Sequence, residues 1–286
     1  MDIKEINLDD WYQSGEGATA ISYFNKNDDS LMLKLFTGTV TASNYAYREF
    51  EFSKHVEACN VKTPKAIEIV SANGQLGIIY ERIKDKVSFS KLCHDNPDKI
   101  EEYATEFAKE LLKLHSLKCD SEFFTGINET VSRCISSSKV YHHLSKKRLF
   151  SFMDELGDEQ VCIHGDAHSG NLIKANDTDY WIDLGAFTFG SHWYDIGGVY
   201  FFYKLALGKI ISKDILHMNG RQLNRFYDAF VRAYLGSDDK EQIKTFNKKA
   251  RRACLLFSIY TIDVEHYTGL ANIFASIVIR DLSFGW

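Results

Sequence analysis

The chain has 286 residues, of which 45% are hydrophobic and 26% charged, and a net charge of −5. That composition is ordinary for a globular protein long enough to build two substantial cores. The acidic balance, with no basic stripe carrying interleaved aromatics, argues against nucleic acid as a partner. No apolar run reaches membrane-spanning length, and Met1-Asp-Ile-Lys-Glu-Ile-Asn7 lacks signal-peptide character. Six cysteines occur without Cys-x-x-Cys or other metal spacing, the usage expected of reduced, mostly buried thiols in a cytoplasmic protein.

In chain order, Gly15-Glu-Gly17-Ala-Thr-Ala20 is the first motif. Gly-x-Gly-x-x-Ala also fits a dinucleotide-binding turn, but that turn needs a helix directly after it. Here a turn at residues 25–30 leads into Leu31–Phe36, where Leu31, Leu33 and Leu35 alternate with Met32, Lys34 and Phe36 as in a strand. A charge in such a strand is costly without a partner, so Lys34 calls for an acid on the next helix. Residues 48–56 read as that helix, with Phe52 and Val56 on one face and Glu49 and Glu51 both available. Residues 63–70 and 76–80 read as two more strands, ending at Glu81-Arg82-Ile83. From Pro97 onward Ile100, Tyr103, Ala104, Phe107, Leu111 and Leu114 recur at helical spacing, up to His115. Residues 136–147 are polar and basic, a solvated face.

The most informative segment is His164-Gly-Asp-Ala-His-Ser-Gly-Asn171, entered from the apolar run Val161-Cys-Ile163. After a turn at residues 176–179 and the strand-like Tyr180-Trp-Ile182 comes Asp183-Leu-Gly185. Phosphoryl transfer needs a carboxylate near the attacking hydroxyl, oxygen ligands for magnesium and cations on the phosphates. An Asp, an Asn five residues on, and a later Asp-x-Gly supply the first two. Asp166, Asn171 and Asp183 have that order and spacing. Asp166 is the expected base, and Asn171 and Asp183 are the expected ligands of a hard divalent cation.

With Trp193-Tyr-Asp195-Ile196 following, the chain resembles the aminoglycoside phosphotransferase and choline kinase family. Protein kinases usually carry Arg after the His and Phe in the Asp-Phe-Gly triplet, whereas this chain has Gly165 and Leu184. The resemblance implies an α+β, bilobal protein-kinase-like fold. A small antiparallel-sheet lobe over residues 1–83 would bind nucleotide, and a larger, mainly helical lobe over 84–286 would carry catalysis and acceptor binding. It implies ATP, or GTP, with Mg2+, and a small hydroxyl-bearing acceptor such as an aminoglycoside, choline, ethanolamine or a sugar. It assigns Gly15 and Gly17 to the phosphates, Lys34 to the α- and β-phosphates with Glu49 as its partner, and the backbone of Glu81 and Ile83 to the adenine edge. It makes His164 and Asp195 supports of the catalytic loop and His115 a packed helix-end residue. His168, inside the loop, is expected to have a surface role.

The remaining chain reads as helices. Phe226, Phe230 and Tyr234 mark one face, a second helix runs through residues 240–259, and an apolar one contains Ile273, Phe274, Ile277 and Val278. The family builds its acceptor pocket in this region, where Asp263, Glu265, His266 and Tyr267 are the candidates. Two other classes fit the same motifs: a nucleotide-binding pseudokinase scaffold and a protein Ser/Thr kinase. The filled catalytic positions speak against the first. The short stretch between Gly185 and Trp193, with no Ala-Pro-Glu segment, speaks against the second.

Overall fold

A computed structural model describes residues 3–16, 20–37, 41–119, 121–137, 143–205, 209–210, 213 and 215–264. The chain divides into two compact units. The first comprises Met1–Lys86 and Lys174–Gly185, the second Val87–Ile173 and Ala186–Trp286.

The first unit is built on a six-stranded sheet. Its strands are β1 (Lys4–Glu5), β2 (Trp11–Glu16), β3 (Ala20–Asn25), β4 (Leu31–Phe36), β5 (Ala66–Ala72) and β6 (Gln75–Glu81), in the order β1-β5-β6-β4-β3-β2. The pairings are antiparallel except β1 with β5, which is parallel. Helix α1 (Thr41–Ala58) packs against β4, β5 and β6. Period-two alternation divides the sheet's side chains between two cores. Leu33 and Leu35 join Trp11, Val70, Ala72 and Ile79 on one face. Phe36 joins Ala46 of α1, Ile78 and Tyr80 on the other. Lys34 has the parity of Phe36 and lies opposite Ile78, so the alternation turns it toward the helix.

After the second unit begins, the chain returns to the first at Lys174. There Asn176 and Asp177, both with positive φ (46° and 61°), turn it into strand Thr178–Trp181. Two consecutive left-handed residues make the tight hairpin turn that Asn and Asp tolerate best. The Trp181 N–H donates to the Lys62 carbonyl at 2.8 Å, tying this return to the unit.

The second unit holds the short strand β7 (Val87–Ser88) and helices α2 (Phe89–Asp95), α3 (Ile100–Leu114), α4 (Ile127–Ser137), α5 (His143–Leu156), α6 (Trp193–Tyr203), α7 (Gly220–Leu235) and α8 (Lys240–Val264). The α3 stripe that recurs at helical spacing packs on α7, with Phe107 5.7 Å from Phe226 and 5.8 Å from Phe230 between ring centroids. Helix α6 packs on α8. Its Gly197 is required there, because a Cβ would lie 2.6 Å from the Ala253 carbonyl oxygen. A short strand β8 (Val161–Ile163) pairs antiparallel with β9 (Thr188–Gly190), Ile163 facing Thr188. This ladder carries the chain straight into His164. No helix among the described residues is long and apolar enough to cross a membrane. The six cysteines are all buried except Cys119.

Candidate active site

The loop following β8 is held by its own backbone and by one buried carboxylate. Asp195, in the first turn of α6 and 1% exposed, accepts from the His164 N–H at Oδ2 and the Gly165 N–H at Oδ1, both at 2.8 Å. Its Oδ2 also lies 3.0 Å from His115 Nε2 at the end of α3. His115 Nδ1 is 2.8 Å from the hydroxyl of Tyr234, whose burial holds the phenol protonated. The phenol can therefore donate to Nδ1, leaving Nε2–H to donate to Asp195. Gly165 sits at φ +81°, and a Cβ there would lie 2.2 Å from the Ala186 carbonyl oxygen. Only glycine fits, which is the physical reason this chain has no larger residue after His164.

Asp166 follows, its N–H donating to His164 Nδ1 at 3.2 Å. The Asn171 amide turns both Nδ2 hydrogens on Asp166, reaching its carbonyl oxygen at 3.0 Å and Oδ2 at 3.1 Å. No described residue hydrogen-bonds Asp166 Oδ1. Burial pushes the Asp166 carboxyl up. The neighbouring His168 and His164 rings and the Asn171 amide outweigh it, so the group stays below its ordinary value and ionised. The far end of the loop is braced by Tyr203, fully buried and stacked on Phe226 at 4.5 Å. The Tyr203 hydroxyl accepts from the Ser169 N–H at 2.9 Å and donates to Ser169 Oγ at 2.8 Å.

In the first unit the structure brings Lys34 and Glu49 together. Lys34 Nζ reaches both carboxylate oxygens, at 2.7 and 2.9 Å, and lies 5.3 Å from the Phe36 ring centroid. Glu51, the other acid considered, points to solvent. Tyr80 on β6 decides between them, because its hydroxyl donates to Glu49 Oε1 at 2.9 Å. Gly15 is exposed on β2 beside an irregularity in the β2–β3 register, and a Cβ there would meet nothing within 4 Å. Gly17 lies outside the described residues. The Glu81 N–H is spent on the Lys65 carbonyl at 2.9 Å. The Ile83 backbone makes no hydrogen bond among the described residues. Asp183 is exposed, with φ of 58°. A non-glycine residue held in the left-handed region is uncommon and recurs where function constrains the backbone. Asn171 belongs to the second unit and Asp183 to the first.

His168 is not a surface residue: it is 6% exposed, with its ring edge-on to Phe202 at 5.0 Å. Of the acceptor candidates, Glu265, His266 and Tyr267 lie outside the described residues, as do Ile273, Phe274, Ile277 and Val278. Asp263 lies in α8, with its side chain outside them. Tyr80 was not singled out from the sequence, because its role depends on a partner 31 positions away.

Only residues 186–192 separate Gly185 from the start of α6 at Trp193, and three of them form β9. That leaves no activation segment of the kind that organises a peptide substrate. A family model described as the phosphotransferase enzyme family, APH, matches residues 13–246. The chain belongs to that family. This membership makes it a small-molecule kinase by class, with the protein-kinase-like α+β fold that its motifs resemble. A comparison with curated protein sequences finds no match.

Solved structures give the same fold. An ADP-bound aminoglycoside phosphotransferase, APH(2'')-Ib, superposes with TM-score 0.56 at 14% identity, over 95% of this chain and 91% of that one. An ethanolamine kinase from Plasmodium vivax gives 0.57 at 16%, over 96% and 82%. The streptomycin–ATP ternary complex of APH(2")-IIa gives 0.53 at 15%, over 95% and 90%.

Proposed function

We propose that this phosphotransferase moves the γ-phosphoryl group of ATP, with magnesium, to a hydroxyl of a small molecule, with Asp166 as base. The observation that carries the reading is the state of Asp166. It is ionised, its Oδ2 is engaged by Asn171, and its Oδ1 is left without a partner among the described residues. A carboxylate in that condition can accept the proton of an attacking hydroxyl.

Asn171 and Asp183 would be the ligands of that cation. With both Nδ2 hydrogens on Asp166, the Asn171 amide oxygen remains as a neutral oxygen donor. The exposed Asp183 carboxylate adds a charged one. Magnesium, when bound, would neutralise charge building on the β- and γ-phosphates. Lys34, oriented by Glu49 and through it by Tyr80, would contact the α- and β-phosphates as a point charge on a fixed stem. Gly15 and Gly17 would lie along the phosphates, and the backbones of Glu81 and Ile83 would meet the base edge. Because Glu81 has already spent its N–H, its carbonyl and the Ile83 N–H are the groups left for that edge.

Aminoglycosides, choline and ethanolamine are the acceptor classes to try first, because proteins of this fold include an aminoglycoside phosphotransferase, a choline/ethanolamine kinase family protein and an ethanolamine kinase. GTP is the alternative donor. Magnesium-dependent ADP or GDP release across such a panel, with Asp166→Asn beside the wild type, tests the reading. Acceptor-stimulated release abolished by the substitution is expected. Nucleotide binding with no stimulation by any small acceptor would refute the small-molecule assignment.

A further inference from the structure

His168 makes two polar contacts that together fix its chemistry. Its Nδ1 accepts from the Gly170 N–H at 3.0 Å. Only an unprotonated ring nitrogen has the lone pair for that bond, so the ring hydrogen of the neutral imidazole is on Nε2. Nε2 lies 3.5 Å from Asp166 Oδ2, the oxygen that Asn171 also engages. The ring has little freedom to leave. Phe202 meets it edge-on, and a Cβ on Gly170 would come within 2.8 Å of its Cε1 and 2.9 Å of its Nδ1. Position 170 is therefore closed to a side chain while the ring stays where it is.

We propose that His168 is a positioning residue for phosphoryl transfer: its Nε2–H holds Asp166 through Oδ2 and keeps Oδ1 turned to the acceptor hydroxyl. The inference rests on Asp166 being the base. The present separation is long for a hydrogen bond. Contacts of this kind commonly tighten only when substrate is bound. Two donors on one oxygen restrict rotation of the carboxylate more than one can, and misplacement of a base costs rate steeply.

The two ring nitrogens can be tested separately. His168→Asn keeps an acceptor near the place of Nδ1 and loses the donor to Asp166. His168→Gln keeps an N–H near the place of Nε2 and loses the acceptor for Gly170. A loop-packing role favours the Asn variant; the positioning role favours Gln. We expect His168→Asn to lower kcat about tenfold or more, the loss of one charge-assisted hydrogen bond, with KM for nucleotide little changed. His168→Gln should retain most of kcat. In the Asp166→Asn background, His168→Asn should lower the residual turnover no further. Wild-type kcat in His168→Asn, an equal loss in His168→Gln, or an undiminished further loss in the double variant would overturn the proposal.

Should the wild type show no acceptor-stimulated turnover, or Asp166→Asn turn over normally, the reading of Asp166 as base is what fails. The contact is then judged without turnover, by ring 15N NMR of the full chain, which also serves if His168→Asn does not fold. A hydrogen on Nε2, none on Nδ1, and an Nε2 signal that moves in Asp166→Asn are expected. An unprotonated Nε2, or one indifferent to Asp166→Asn, would overturn it.

Discussion

Asp195→Asn isolates what holds the catalytic loop. The exchange keeps the shape of the side chain, so no cavity forms and the effect is electrostatic. Three N–H groups converge on the carboxylate, two at Oδ2 and one at Oδ1. The new NH2 does least harm at Oδ1, where it faces the Gly165 N–H. That removes one charge-assisted bond, strands a buried donor, and leaves the other two bonds with a neutral acceptor. Together these amount to about 3–5 kcal/mol of stability. Urea unfolding, read as the change in midpoint at constant slope, measures it. Because Gly165 immediately precedes Asp166, kcat should fall at least tenfold in the fraction that remains folded. A loss of stability under about 1 kcal/mol with kcat intact would show that the backbone holds the loop without Asp195, and would refute the reasoning.

Gly165→Ala places a methyl group against the Ala186 carbonyl at a positive φ, so the loop must shift. We expect a stability loss of about 2 kcal/mol or more and a larger proportional loss of kcat, checked by unfolding and turnover on the same preparation. Tyr80→Phe removes the hydroxyl that orients Glu49; the partly exposed pair moderates the cost to about 1 kcal/mol, with weakened nucleotide affinity read by calorimetry. His192, held 2.7 Å from Glu159, has its imidazole pushed down from the ordinary 6.5, first by burial. A base depressed in the folded state binds protons more readily when unfolded, so its contribution to stability is present above about 6.5 and is lost as pH falls below that through the lower folded value. His192→Asn, which keeps a donor toward Glu159, should flatten the dependence of Tm on pH between about 5 and 7; an unchanged slope would assign that dependence to other groups.

Local pattern carried far for elements whose chemistry is local. The alternation in Leu31–Phe36 fixed both the strand and the face that Lys34 takes, because period two leaves no other choice. The loop motif likewise placed Asp166 and Asn171 in contact, since five residues of tight turn bring the amide back onto the carboxylate. What the sequence left open depends on distant partners. Glu49 and Glu51 share one helix turn, and the choice between them is made by Tyr80 on another strand. His168 reads as a surface residue in a polar loop, yet Phe202 of α6 and the bare Gly170 give its ring a buried seat. β1 and β9 span two and three residues, too few for a periodicity to register.

The central claim is that Asp166 serves as the base in transfer of a phosphoryl group to a small hydroxyl acceptor. The most direct test is single-turnover transfer of the γ-phosphoryl group to an acceptor found in the panel, comparing wild type with Asp166→Asn at saturating nucleotide. The account predicts a loss of roughly 10²–10⁴-fold in the transfer rate with nucleotide affinity nearly unchanged. A transfer rate within a few-fold of wild type would contradict it.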